Sequence, residues 1–294
     1  MDTNQSKNNL LVFLFLIFAL EAILFYVGNF KLAEKDRLES LKTEEIKTIL
    51  DGIPVLARAV SIYDITENKK IYGKNDNEIL PPASLAKIMA VIVALNNYHQ
   101  DNVISITMDG INQTGDYGLS LNEKWKIKDL AKFTLISSAN DGAYALASDD
   151  ENFLEKMNVK ARKIGMENTS FYNFTGLDLD LERAGALATA EDVNTMALYA
   201  RRAYPEIFGV TIMPEINLKS QSGFVHNFKN TNIIVDKIPG LLFSKTGFTE
   251  IAGGNLVIIF KDKKGDEIAI TVLGSSFEGR FSDMEKIVNV LYNM

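Results

Sequence analysis

Pro81-Pro82-Ala83-Ser84-Leu85-Ala86-Lys87 is the stretch on which the reading of this chain turns. Two prolines end whatever precedes them. Ser84 then opens an apolar pattern in which Leu85, Ile88, Met89, Ile92 and Leu95 recur at helical spacing. That spacing predicts a helix with one buried face, and Ser84 and Lys87, three apart, meet on its first turn. Taken alone, the pair reads as a capping serine followed by a solvated lysine. About one Ser-x-x-Lys arises by chance in a chain of this size, so its meaning depends on partners supplied elsewhere.

Composition narrows those partners. A chain of 294 residues, 47% apolar, can hold a membrane segment plus one large domain or two small ones. The net charge of −7, with no basic stripe, argues against nucleic acid. With no cysteine there is no disulfide, no thiol nucleophile and no thiolate metal site. The two histidines, His99 and His226, are far apart. A zinc hydrolase of the His-Glu-x-x-His kind is thereby excluded, and a Ser-His-Asp triad has few candidates. No cofactor or metal is expected.

Residues 10–27 are apolar except for Glu21. At about 1.5 Å per residue they nearly cross a hydrocarbon core of roughly 30 Å. The flanks are abruptly polar, and bulky Phe25-Tyr26-Val27 offers no small-x-small cleavage site. The expectation is a polar flank over 1–9, an uncleaved transmembrane signal anchor over 10–27, and a charged, helix-prone stalk over 28–50. One large domain then fills 51–294. Lys7 alone precedes the span, whereas Lys31, Lys35 and Arg37 follow it, so a positive-inside count places the large domain in the cytoplasm. The chemistry argued below requires the opposite side.

Within the domain, strands are expected at 57–64, 70–73 and 103–107, then short strands and loops over 112–121. Helices are expected at 128–136, 143–147, 155–165 and 190–204, the last capped by Thr189. From Ile207 onward the pattern turns to strands, with three at 243–247, 255–261 and 267–274, and an amphipathic helix at 281–292 closes the chain. Two further strings stand in telling places. Ser138-Ala139-Asn140 occupies a polar loop between two apolar helices, and Lys245-Thr246-Gly247 ends an apolar strand. Ser-x-Asn also occurs at Ser6 and Ser120, so that triplet is uninformative by itself.

In that order, Ser-x-x-Lys, Ser-x-Asn and Lys-Thr-Gly resemble the serine penicillin-binding protein and β-lactamase superfamily. Fuller strings at 82–89, 138–141, 173–178, 230–232 and 245–253 are similar to the low-molecular-mass D-alanyl-D-alanine carboxypeptidases, from about Val55 to the C-terminus. The resemblance implies an α/β (α+β) fold, an antiparallel sheet flanked by helices with an inserted, mostly helical lobe, and a site between lobe and sheet. It implies Ser84 as the nucleophile on the D-Ala-D-Ala bond of peptidoglycan stem peptides. Lys87 is then the general base, its pKa lowered by burial and by the Lys245 cation. Ser138 would relay a proton to the leaving amine, and Asn140 would hold the substrate amide and the Lys87 side chain. Lys245 and Thr246 would bind the terminal carboxylate, and Gly247 would let the strand pass close to the ligand. The backbone N–H groups of Ser84 and Phe248 would form the oxyanion hole. β-Lactams become expected covalent inhibitors. The expected location is the bacterial cell membrane, single-pass, with the catalytic domain on the extracytoplasmic side.

Two departures from the family pattern stand out. Phe243 occupies the place of a common glycine two residues before the lysine and is expected to narrow the groove. Leu187-Ala188-Thr189-Ala190 replaces a His-x-Ser-Thr-Ala run. The C-terminal sheet domain and tail of many relatives are expected to be missing, with N-terminal anchoring in their stead. The same residues would serve a DD-endopeptidase or a DD-transpeptidase. A class A β-lactamase needs a deacylating glutamate, for which Glu191-Asp192-Val193-Asn194 is the nearest string, though it reads as a helix start. The non-enzymatic alternative is a wall-binding scaffold. Oligomeric state is not legible.

Overall fold

The computed structural model describes the backbone of residues 3–115 and 117–293, while most side chains before residue 24 and several between 35 and 42 lie outside the description. The chain divides into two units, Met1–Asp51 and Gly52–Met294. The first is the helix α1 (Thr3–Asp51). The expected transmembrane segment at 10–27 falls largely on side chains outside the described residues. Among the described residues no helix is long and apolar enough to cross a membrane.

The second unit opens with the hairpin β1 (Ala59–Asp64) and β2 (Lys69–Lys74). A 3-10 turn, Ala83–Leu85, runs straight into α2 (Ala86–Asn97). The helical lobe follows, with β3 (Val103–Ser105), α3 (Met108–Ile111), β4 (Lys124–Lys126), α4 (Ile127–Ile136), α5 (Asn140–Ala147) and α6 (Phe153–Lys163). Short β5 (Ser170–Phe171) and β6 (Ala186–Leu187) bracket a long loop before α7 (Ala190–Ala203) and α8 (Pro205–Phe208). After the hairpin β7 (Glu215–Lys219) and β8 (Val225–Lys229) the chain returns to the sheet as β9 (Leu241–Thr249), β10 (Gly253–Lys261) and β11 (Glu267–Ser275), and α9 (Gly279–Asn293) closes it.

The main sheet is antiparallel, in the order β2-β1-β11-β10-β9. Every residue over 256–260 is buried, so both faces of β10 are covered and its apolar run does not alternate as a half-exposed antiparallel strand would. Val257 and Ile259 join the core cluster containing α2 and α7, whereas their neighbours Leu256, Ile258 and Phe260 do not. They take the other face, with α9 packed on β10 and β11. β9 is left as a sheet edge.

Three expectations are corrected here. α2 is buried all round from Ala86 to Leu95 rather than on one face, because Ala90, Val91, Val93 and Ala94 fill the positions a surface helix would make polar. Ser84 does not cap α2, whose cap position is Leu85 without a side-chain bond. The strands expected from Ile207 begin only after α8 and a 3-10 turn, Gly209–Ile212. Thr189 does cap α7, accepting from the Asp192 N–H at 3.0 Å.

Candidate active site

The turn bearing Ser84 is held in a conformation that a chain avoids on its own. Ala83 has φ +50°, in the left-handed region without being glycine, at a cost of about 1–2 kcal/mol. Two glycines hold the turn from outside. A Cβ on Gly176 would stand 1.9 Å from the Ala83 carbonyl oxygen. A Cβ on Gly247 would stand 2.6 Å from the Pro82 oxygen and 3.2 Å from the Ser84 nitrogen. β9 therefore passes against the Ser84 amide, and only a residue without a side chain permits it.

Lys87 is fully buried, and its Nζ lies 2.8 Å from Ser84 Oγ. It also donates to the Thr175 carbonyl at 2.8 Å. Burial pushes its pKa down to about 7, and the Asp141 carboxylate partly opposes the shift. The repulsion expected from Lys245 falls instead on Lys245 itself. That lysine is lowered well below its usual range by burial first, then by the Lys87 and Arg280 cations.

Ser138 follows α4 with φ +60°, a second non-glycine residue in the left-handed region. Its Oγ accepts from Lys245 Nζ at 2.8 Å. Lys245 also donates to the Thr246 carbonyl at 2.9 Å. The Thr246 hydroxyl lies 2.6 Å from that of Thr231, whose N–H donates to the Ile136 carbonyl at 3.0 Å. Thr231 thus joins the sheet edge to the lobe.

Ser84, Lys87, Ser138, Lys245, Thr246 and Gly247 are therefore brought together. Asn140 is nearby, but not as expected. Its Nδ2 donates to the Thr114 carbonyl at 2.7 Å and to Tyr117 Oη at 3.1 Å. The Thr175 carbonyl, not Asn140, holds Lys87. Asn140 Oδ1 is buried with no partner among the described residues, an acceptor suited to a substrate amide N–H. Phe243 is also placed otherwise, since it is fully buried against Phe208, ring centroids 6.0 Å apart, and its ring belongs to the core.

Arg280 carries no sequence signal, because it lies at the start of an amphipathic helix pattern. In the fold it is buried, and its Nη1 donates to the Gly247 carbonyl at 3.1 Å. Its guanidinium packs 4.3 Å from the Phe277 ring and 4.6 Å from the Phe281 ring. Its Nε has no partner among the described residues. The Phe248 ring meets Phe277 edge-on at 4.9 Å. With Lys245 this makes a desolvated cationic corner beside β9, poised for an anion.

The residues of the candidate glutamate string are engaged elsewhere. Glu191 pairs with Lys70 at 3.4 Å, the Asp192 carboxylate accepts from the Asn168 N–H and the Thr169 hydroxyl, and Asn194 binds the Ser61 carbonyl and the Thr271 hydroxyl.

A family model described as D-alanyl-D-alanine carboxypeptidase matches residues 48–276. The chain is 30% identical to the D-alanyl-D-alanine carboxypeptidase DacF of Bacillus subtilis, over 74% of this chain and 57% of that one. It therefore spans little more than half the length of that relative. It is 32% identical to a D-alanyl-D-alanine endopeptidase of Escherichia coli, over 69% of this chain and 67% of that one. Among solved structures it is similar to penicillin-binding protein D2 of Listeria monocytogenes in its cefotaxime-bound form, with a TM-score of 0.71 and 28% identity, over 82% of this chain and 99% of that one.

Proposed function

The chain belongs to the D-alanyl-D-alanine carboxypeptidase family, and from that membership we propose that it is a serine-type D-Ala-D-Ala carboxypeptidase acting on peptidoglycan stem peptides. The observation that carries the proposal is a lysine lowered to about 7 with its Nζ 2.8 Å from a serine hydroxyl. Neutral Lys87 takes the Ser84 proton as Oγ attacks the penultimate D-alanine carbonyl. The N–H groups of Ser84 and Phe248 receive the oxyanion. Lys245, Thr246 and Arg280 hold the terminal carboxylate. The Ser138 hydroxyl, its oxygen occupied by the Lys245 donor, passes its proton to the departing amine, and the proton that Lys87 took from Ser84 replaces it, which returns both side chains to their starting forms. D-Alanine leaves, and water then hydrolyses the Ser84 ester. The same geometry supports covalent capture of β-lactams, since penicillin-binding protein D2 of Listeria monocytogenes, similar in fold, is solved both in an ampicillin-bound and in a cefotaxime-bound form.

Release of D-alanine from a pentapeptide, compared with cleavage of a cross-linked dimer, tests the assignment. Faster release from the pentapeptide is expected. Cleavage of the dimer alone would replace this reading with the endopeptidase one, which the Escherichia coli relative favours by its name.

Arg280→Gln is expected to weaken productive binding of a free-carboxylate peptide about tenfold, since a hydrogen bond to a charged group is worth about 1.5–3 kcal/mol. A C-terminally amidated peptide should lose much less. Equal losses on both would remove Arg280 from the carboxylate site.

A membrane anchor at 10–27 and an extracytoplasmic domain belong to the same proposal. They are supported by the apolar run of the sequence and by the location of such a substrate outside the cell membrane. Retention of the full chain in membranes after alkaline extraction is the expected result, and its release would count against an anchor.

A further inference from the structure

A side-chain amide can turn either its oxygen or its nitrogen to a ligand, and at Asn140 the choice is made by neighbours. Its Nδ2 donates to the Thr114 carbonyl at 2.7 Å and to Tyr117 Oη at 3.1 Å, which uses both hydrogens. Oδ1 is therefore the atom left for a ligand, and it is buried without a partner among the described residues. Without Thr114 and Tyr117 the amide is free to turn and set its own N–H against the substrate's N–H.

The loop that carries Thr114 and Tyr117 is held by two side chains 103 residues apart. Its neck closes where the Ile106 N–H donates to the Glu123 carbonyl at 2.8 Å and the Asn122 N–H to the Ile106 carbonyl at 2.9 Å. The Glu123 side chain then reaches back into the loop. Its Oε2 accepts the Ser120 N–H at 3.0 Å, and its Oε1 lies 2.8 Å from His226 Nε2. That side chain is fully buried, so the carboxylate depends on these partners. His226 stands on β8 and packs against the rings of Trp125 and Phe228, each centroid 5.4 Å away. Other links between the β7–β8 hairpin and β4 do not involve the pair. The Gln221 N–H donates to the Lys124 carbonyl at 2.8 Å, and the Lys124 N–H to Ser222 Oγ at 2.9 Å. The hairpin is therefore expected to stay docked when the pair is cut.

We propose that Glu123 and His226 form one clasp that positions Asn140 for the reaction. His226 fixes the Glu123 carboxylate, the carboxylate anchors Ser120, and the anchored loop sets Thr114 and Tyr117 on Asn140 so that Oδ1 meets the amide N–H of the acyl residue. Both are positioning residues, since they act through the loop. The clasp rests on the DD-peptidase reading above, which supplies a ligand with such an N–H.

The test uses the full chain and two β-lactams. Benzylpenicillin carries a side-chain amide N–H, and penicillanic acid has the same ring system and carboxylate without that amide. The ratio of their acylation rates within one variant cancels any change in Ser84 reactivity. Glu123→Leu is expected to lower the ratio about five- to tenfold, the factor that one hydrogen bond is worth. The double variant Glu123→Leu/His226→Phe should lower it no further, because a clasp is already open once one half is gone. Glu123→Gln still accepts the Ser120 N–H and should keep most of the ratio. Emission from Trp125, the one tryptophan of the chain, reports whether this corner stays packed. An unchanged ratio in Glu123→Leu, a further drop in the double variant, or a Glu123→Gln variant as impaired as Glu123→Leu would overturn the clasp. Failure of both leucine-bearing variants to fold would make the pair a structural element and overturn its positioning role. An unmodified chain acylated by neither lactam would instead overturn the DD-peptidase reading, and the clasp with it.

Discussion

Ser84→Ala is expected to lose acylation by β-lactams by about 10³-fold or more, the scale on which removal of a serine nucleophile acts. The change deletes one oxygen from a turn whose geometry is set by its neighbours. Ala83 stays left-handed because Gly176 and Gly247 leave room for the turn and Pro81-Pro82 feed into it. The variant should therefore fold with a melting temperature close to that of the unmodified chain. What disappears is the oxygen 2.8 Å from Lys87 Nζ. Stopped-flow measurement with a fluorescent penicillin reads the effect. Acylation within tenfold of the unmodified rate would assign the nucleophile elsewhere.

Lys87→Met carries the second large effect, and its two readouts should move in opposite directions. Loss of a positioned general base is worth about 10²–10⁴ in rate. Stability at neutral pH should nevertheless rise. In the folded chain the lysine is lowered to about 7, against an ordinary value of 10.5. Between those values the unfolded chain binds the extra proton, so stability climbs with pH across that window, and below about 7 the full cost of burying the amine is felt. That cost is several kcal/mol in order of magnitude. Methionine removes it but leaves the Thr175 carbonyl without its donor, so a net gain of about 1–3 kcal/mol is expected. The gain should shrink as the pH rises from about 7 and be gone above about pH 10.5. In the unmodified chain the acylation rate should rise through about pH 7 as Lys87 loses its proton, falling about 100-fold from pH 8 to pH 5. A flat profile, or a Lys87→Met variant less stable at pH 7 than the unmodified chain, would contradict this account of the base.

The sequence made the chemistry more legible than the architecture. Ser84, Lys87, Ser138, Lys245, Thr246 and Gly247 were readable because a short spacing or a strand end places each beside a defined partner, and the fold does bring them together. Helices α4 and α7 and strands β10 and β11 were readable because their apolar periods are long and bounded by caps and turns. Arg280 was not, since its role depends on α9 folding back beside Gly247, 33 residues away along the chain. Neither was the Thr175 carbonyl, a backbone group that no side-chain pattern marks. Asn140 binds Thr114 and Tyr117 rather than the expected Lys87, because the loop carrying those two residues reaches it first. Phe243 was expected to narrow the groove, yet its strand register turns the ring onto Phe208. Such misses share a cause, in that tertiary packing chooses among faces and partners that local spacing leaves open.

The central claim is that Ser84 becomes acylated. Intact-mass analysis of the full chain after incubation with benzylpenicillin, followed by peptide mapping, tests it most directly. The account predicts one added penicillin per chain, carried on the peptide that contains Ser84. A folded chain that gains no mass, or an adduct mapped to another residue, would contradict it.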